Sequence, residues 1–321
     1  MAVTNTHVEV HEAQEEKYQR PWLDITKRFM RHRLAMGSFI VMVLILLGVF
    51  IGPFFSVFAE RSQSLRQKNL PPLSTYAIEK DIRNDDNTLR TAAGSTATAF
   101  LGTDELGRDL LTRLLYAGRI SLYIAFAVTL LSESIGIIIG VISGYFGGFV
   151  DTVAMRTVDF LNTLPLLPIL LIITTITKPT VNLLIASLVF FSWTGGARLM
   201  RGQILSLREQ EYVSASRALG ASNMRIMFRH LVPNAIAPNI VNASLGLSGV
   251  MITEAALSFL GFGVKLPQAS WGNMLSGVNL SILENYPWQA FFPGFAIFLC
   301  SLCFNFIGDG LRDALDPRAK R

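Results

Sequence analysis

The chain has 321 residues, of which 51% are hydrophobic and 16% charged, with a net charge of +5 and a mean hydropathy of +0.42. A soluble domain carries about a quarter charged residues, so this composition excludes an ordinary soluble enzyme and points to a chain that crosses a membrane several times. Cytoplasmic lysine and arginine flanking the spans explain the pI near 9.4 more simply than nucleic acid does.

Residues 1–33 are polar and charged and read as a cytoplasmic arm. They do not form a signal peptide, because the apolar run that follows is too long for one. That run, Leu34 to Phe58, is the first of six candidate spans and is expected to stay as an uncleaved anchor. The segment from Ala59 to Arg119, with nine basic and eight acidic residues, is expected outside. Within it Ser62 to Ala99 is polar, contains Pro71 and Pro72, and reads as an extended excursion. "GTDELGRD" then reads as a turn into a capped helix, with Thr103 or Asp104 as the cap and Asp104 and Glu105 in the first turn.

The second span runs from about Ile120 to Val141, the third from Val158 to Ile176 with Pro165 and Pro168 inside it, and the fourth from Val181 to Ala197. The fifth covers Ile236 to Leu260 and the sixth Trp288 to Ile307, before a tail at 310–321. Each is near the roughly 20 residues needed to cross a bilayer. Residues 120–309 thus form a five-helix core behind the first span. Basic residues set the orientation. Lys17, Arg20, Lys27, Arg28, Arg31, Arg33, Arg156, Arg198, Arg201, Arg208, Arg217, Arg225, Arg229, Arg312, Arg318, Lys320 and Arg321 fall on one side, and the short loops opposite hold Lys178 and Lys265. The positive-inside rule then puts both termini in the cytoplasm.

Gly136, Gly140, Gly144 and Gly148 recur every fourth residue, a small-residue stripe for close helix packing or else a hinge. Glu133 lies 14 residues beyond Arg119, about 21 Å into the span at 1.5 Å per residue, and is either a functional carboxylate or one bonded to Ser132, Ser134 or a neighbouring helix. Glu254 is placed near the outer end of its span, within reach of the interface. Asp151, Arg156 and Asp159 are spaced to pair along one helix, and Asp309, Arg312 and Asp313 to form a local network. Cys300 and Cys303 read as plain buried thiols, and His7, His11, His32 and His230 form no catalytic or metal cluster.

The longest interior loop, 208–233, is the most informative segment. "EYVSASRAL" reads as a short helix, Gly220 as a left-handed stop, Ser222 as the cap of a second helix "NMRIMFRHL", and Pro233 as its end. Met224, Met227 and Leu231 are expected on one face and Arg225 and Arg229 on another. Such a surface suits either anionic lipid or a cytoplasmic protein.

This stretch resembles the "EAA" motif of ABC-importer permeases, with Ser214, Ala215 and Ser216 at the E-A-A positions, Gly220 at the glycine and Val232-Pro233 at the later L-P. The acidic residue is replaced at Ser214, with Glu211 one turn upstream. "FLGTDELGRDLLTRLLYAGRISL", "VDTVAMRTVDFLNTLP", "ARLMRGQILSLREQEYV", "EAALSFLGFG", "SWGNML" and "FNFIGDGLRDALDPR", in that order, resemble the C-type permease subunit of oligopeptide/dipeptide importers of the peptide/nickel family. The resemblance implies an all-α membrane protein with six transmembrane helices in the type I ABC importer permease fold. It implies a multi-pass subunit of a prokaryotic plasma membrane, paired with a homologous permease, two cytoplasmic ATPases and an extracytoplasmic binding protein, with "GTDELGRD" either on an external surface near where that binding protein docks or only a local fold that starts the second span. Glu211, Tyr212, Val213, Ser214, Ala215, Ser216, Arg217, Gly220, Met224 and Arg225 would then couple to the ATPases. ATP and Mg would sit on those partners, leaving this chain non-catalytic and without a cofactor of its own. The sequence has no Gly-Lys dipeptide and hence no Walker A phosphate cradle. Peptides are the expected cargo, with nickel complexes, glutathione or oligosaccharides as family alternatives. An ion-coupled secondary transporter relayed by Glu133, or a scaffold recruiting a partner through the basic loop, are the competing classes.

Overall fold

The computed structural model describes residues 21–59, 62–78, 81–83, 88–177 and 180–315. Lys17, Arg20, Lys178, Arg318, Lys320, Arg321, His7 and His11 lie outside the described residues. The short amphipathic helix α1 (Pro21–Arg31) leads into the first long helix, α2 (Arg33–Phe55). His32 separates them and caps α2, its Nδ1 accepting the Ala35 N–H at 3.1 Å. Next comes the outer segment, whose described residues form four short strands: β1 (Ser74–Ala77), β2 (Ile82–Arg83), β3 (Leu89–Thr91) and β4 (Thr96–Ala99).

These strands correct the expectation of an extended excursion. β1 and β4 form one antiparallel ribbon in which Ser74 faces Ala99 and Ala77 faces Thr96; β2 and β3 form another. Phe58, Ile78, Ile82 and Ala97 bury together beneath Tyr76 and give the segment a small core of its own. Few apolar residues are available, but the ribbons gather them at one point.

Helix α3 (Leu110–Phe146) follows, ten residues longer at its outer end than the second span expected from 120. The extension is possible because its arginines are satisfied: Arg119 donates to Val49 O at 3.0 Å and Phe50 O at 2.8 Å, and lies over the Tyr116 ring. Asp109 is the cap, accepting the Thr112 N–H at 2.7 Å, so neither Thr103 nor Asp104 has that role. The chain turns at Gly147 and Gly148, with φ +65° and +53°, into α4 (Gly148–Thr163) and then α5 (Leu166–Ile176).

The third span is therefore a bent pair. α4 and α5 meet at 81° across Leu164 and Pro165. Pro165 lacks an N–H and holds the residue before it out of the helical region, and Leu164 is extended at φ −78°, ψ 130°.

The remaining elements are α6 (Val181–Leu207), α7 (Glu211–Ala218), α8 (Asn223–Arg225), a π turn over Ile226–Leu231, α9 (Val232–Ala235), α10 (Ala237–Phe259), α11 (Trp271–Leu275), α12 (Leu280–Asn285) and α13 (Trp288–Leu315). Among the described residues five helices, α2, α3, α6, α10 and α13, are each long and apolar enough to cross a membrane, and the α4–α5 pair makes up to six crossings.

Helix α3 is the hub. It packs along α6 on one side and against α10 and α2 on others, while α13 closes against α10 and α2. Met42 and Val49 of α2, Leu122 and Ala125 of α3, Met251 of α10 and Phe304 of α13 share one core with Trp271, Cys300 and Cys303. Both thiols are free. A Cβ at Gly136 would fall 2.7 Å from Trp193 O, at Gly140 2.5 Å from Ala197 O, and at Gly144 2.9 Å from the Ile204 Cβ. The two backbones touch, an approach that only small residues permit in a membrane. Gly148 takes no part: nothing lies within 4 Å of its Cβ position, because the chain has already turned away from α6.

Polar bridges join α4 to α6 across the groove, not along α4 as the spacing suggested. Asp151 pairs with Arg201, Asp159 Oδ1 accepts from Arg198 at 2.8 Å, and Asn162 Oδ1 accepts from the Thr194 hydroxyl at 3.0 Å. At the end of α13 Asp313 stands 3.5 Å from His32.

Candidate functional site

The α6–α10 connection is a folded surface anchored from beneath. α7 ends in a Schellman turn: Ala221 N–H donates to Ser216 O at 3.1 Å and Gly220 N–H to Arg217 O at 3.0 Å. Gly220 supplies the left-handed residue, φ +79°. Ser222 caps α8 through the Arg225 N–H at 3.4 Å. The next turn is a π turn, in which residues five apart stack. Ile226 and Leu231 therefore both point inward, and with Met227 and Val213 they join Val141, Met200 and Ile204 in a buried cluster.

This inverts part of the expected pattern. Met227 and Leu231 do not share an outer face with Met224, and Val213 lies beneath the surface with them, since all three are fully or almost fully buried. Glu211, Ser214, Ala215, Arg217 and Arg225 are exposed, Tyr212 is 39% exposed and Met224 63%, whereas Ser216 is half-buried and donates to Tyr212 O at 2.7 Å. Two exposed apolar residues of this surface escaped the sequence analysis. Leu219 is 88% exposed beside the glycine, and Phe228 is 41% exposed on the π turn. An apolar residue next to a helix-ending glycine was the available signal for Leu219; a π turn leaves none for Phe228.

The surface is tied to the far end of α3. Tyr145 donates to Asn223 Oδ1 at 2.8 Å, Arg217 lies 5.8 Å over the Tyr145 ring, and Arg208 donates to Gly144 O at 2.8 Å. The loop is thereby bonded to α3 as well as being continuous with α6 and α10.

Glu133 bonds a neighbouring helix. Its Oε1 accepts from Asn242 at 2.5 Å and its Oε2 from Asn239 at 3.2 Å, both on α10, and Asn239 also donates to Gly196 O of α6 at 3.1 Å. Ser132 and Ser134 bond their own helix backbone instead. The carboxylate so joins α3, α6 and α10 around Gly196, whose added Cβ would lie 2.6 Å from Oε2.

Glu254 does not reach an interface; it is 1% exposed. It accepts from Ser121 at 3.2 Å and Ser258 at 2.7 Å, and those hydroxyls accept the N–H groups of Trp271 and Val264, each at 3.1 Å. The carboxylate fixes both serines and through them the loop between α10 and α11. At the start of α3 burial pushes the Asp109 carboxyl above its ordinary range, and burial together with the Asp109 charge raises the Tyr76 phenol.

Residues 136–321 match the model of the "Binding-protein-dependent transport system inner membrane component" family, and residues 20–72 match the "N-terminal TM domain of oligopeptide transport permease C". The chain belongs to the binding-protein-dependent transport system inner membrane components. Relatives of this permease family align almost end to end. The chain is 36% identical to the dipeptide transport system permease protein DppC of Bacillus subtilis, over 95% of this chain and 90% of that one. It is 38% identical to the oligopeptide transport system permease protein OppC of the same organism, over 94% and 90%, and 37% identical to OppC of Haemophilus influenzae, over 92% and 88%. Among solved structures, an inward-facing MetNI methionine ABC transporter chain superposes with a TM-score of 0.50 at 19% identity, covering 63% of this permease and 96% of that chain. The shared fold is that of the type I importer permeases. The protein is a multi-pass permease subunit of a binding-protein-dependent ABC importer.

Proposed function

We propose that this permease forms half of a heterodimeric translocation pathway that imports di- and oligopeptides, driven by two ATPase subunits that dock on the α6–α10 loop. The observation that carries the reading is the two-sided loop. Val213, Ile226, Met227 and Leu231 hold it rigidly from below, while Tyr212, Leu219, Met224 and Phe228, with Arg217 and Arg225, are left uncovered. Exposed apolar anchors rimmed by arginine are the composition of a protein contact, and rigid anchoring is what a force-transmitting contact needs. The dipeptide and oligopeptide permeases aligned above support peptide as cargo. ATP and Mg bind the partner subunits, and this chain carries no catalytic role. The membrane is a prokaryotic plasma membrane, with both termini, the 1–33 arm and the tail from 310 in the cytoplasm and the 59–119 segment outside.

Reconstitution tests it. Proteoliposomes holding both permeases and both ATPases should take up labelled di- and oligopeptides only with ATP inside the ATPase-facing compartment and binding protein outside. Uptake driven by a proton or sodium gradient without ATP would overturn the reading in favour of a secondary transporter. Accumulation of a nickel complex, glutathione or an oligosaccharide in place of peptide would overturn the cargo alone.

A further inference from the structure

Helix α3 has 37 residues and is about 55 Å long at 1.5 Å per residue, so its first turn lies a full membrane away from the Tyr145–Asn223 contact at the coupling loop. Beside that first turn is a pocket of about 520 Å³. One wall is the 104–113 turn, the other the α10–α11 loop that Glu254 holds in place, and α12 and Gln289 of α13 complete the lining.

The charge of this pocket is unbalanced. Its lining holds three cations, Arg108, Arg113 and Lys265, against two carboxylates, Asp104 and Glu105. Asp104 serves both guanidiniums with one oxygen: Oδ2 accepts from Arg108 Nε at 2.6 Å and from Arg113 Nη1 at 2.9 Å. Its Oδ1 is taken by the backbone N–H groups of Leu106 and Arg108, each at 2.9 Å. Asp109 does not compensate, since its Oδ2 is turned to the Thr112 N–H and hydroxyl and it does not line the pocket. Arg113 is 4% exposed, and among the described residues its guanidinium makes a single hydrogen bond, so its remaining donors are left to the pocket. Two cations sharing one carboxylate in a partly desolvated floor favour a second carboxylate, and an arginine with free N–H groups offers the planar fork that one fits.

The rim shows what kind of molecule brings it. Lys265, which also donates to Gly261 O, and Glu105 are exposed at the mouth. Leu266 beside them is 63% exposed, and Leu280, on the same short helix as the lining Ile282, is 77% exposed. Exposed leucines around a buried arginine are the composition of a protein–protein contact.

We infer that this pocket receives an acidic side chain of the extracytoplasmic binding protein, with the buried Arg113 and the half-buried Arg108 as the donors to it and Lys265 as the steering charge at the mouth. The inference rests on the importer reading above and adds to it the place and the chemistry of one docking contact. Rim charges act chiefly on encounter and on salt dependence, whereas a buried charge pair holds the complex once formed.

The test measures the affinity of the importer's own binding protein for the complete complex in lipid nanodiscs. Lys265→Glu should weaken docking by about tenfold at low salt, Glu105→Lys should tighten it by about threefold, and both differences should shrink as ionic strength rises. Opposite shifts from neighbouring rim positions cannot come from misfolding. If ATP-driven uptake still requires the binding protein while both variants dock like the parent, or shift the same way, the pocket assignment alone is overturned. A complex that takes up substrate without any binding protein overturns the importer reading and this one with it.

Discussion

Gly220 separates backbone effects from contact effects at the proposed coupling surface. Its φ of +79° lies where side chains with a Cβ cost about 1–2 kcal/mol, yet nothing lies within 4 Å of its Cβ position. Gly220→Val should therefore distort the turn and cut ATP-driven uptake by about tenfold while membrane insertion stays intact. Gly220→Asn, which tolerates the left-handed region, should retain most of the activity. Valine at this position with the parent rate of uptake would remove the loop from the coupling path. Glu133 invites the opposite test. Its partners are amide N–H groups, not a charge, so a neutral side chain of the same shape can keep one bond in place. Glu133→Gln should transport at no less than about half the parent rate, and Glu133→Leu should destabilise the assembled complex, because Asn242 loses its acceptor and the buried Asn239 keeps only Gly196 O. Abolished uptake by a stably assembled Glu133→Gln complex would instead make the carboxylate a proton relay.

Among the helices, the α3–α6 pair is the one whose geometry leaves least room for change. At Gly140 the obstructing atoms are backbone, Ala197 O and Arg201 N, with the Met200 Cβ between them. Gly140→Leu should therefore prevent assembly, read as loss of the complex on size exclusion. Gly148→Asn, which tolerates the left-handed φ of +53°, meets open space and should leave assembly intact. The two glycines look alike in sequence, and a four-residue repeat carries no mark of where the helix ends; the turn at Gly147 and Gly148 does. The spans themselves were legible because apolar runs of bilayer length have few other uses. The outer turns of α3 were not, because Arg113 and Arg119 look like loop residues until Asp104 and the carbonyls of Val49 and Phe50 are brought to them from elsewhere in the chain. Glu254 was misplaced at an interface for the same reason. Of its donors, Ser121 lies 133 residues away, and burial set by distant partners leaves no local pattern. The glycine-broken loop was legible as a shape, since capping and left-handed turns are local, but the π turn shifted which side chains face out.

One helix joins the two ends for which a role is proposed. The α6–α10 loop hangs from the last turn of α3 and the basic pocket opens beside its first, so the two proposals share one topology. Two positions report it directly. Met224, 63% exposed on the coupling surface, and Lys265, exposed at the pocket mouth, are both surface sites, whereas Cys300 and Cys303 are buried and give little background. Met224→Cys should react with a membrane-impermeant maleimide only in inside-out vesicles, and Lys265→Cys only in right-side-out ones. Added ATPase subunits should protect the first cysteine and binding protein the second. Reaction of both from one side would deny that α3 spans the membrane, and the reverse pattern would turn the arginine-rimmed loop outward, away from any ATPase. Either result overturns both docking proposals together, because α3 fixes the distance and the direction between them.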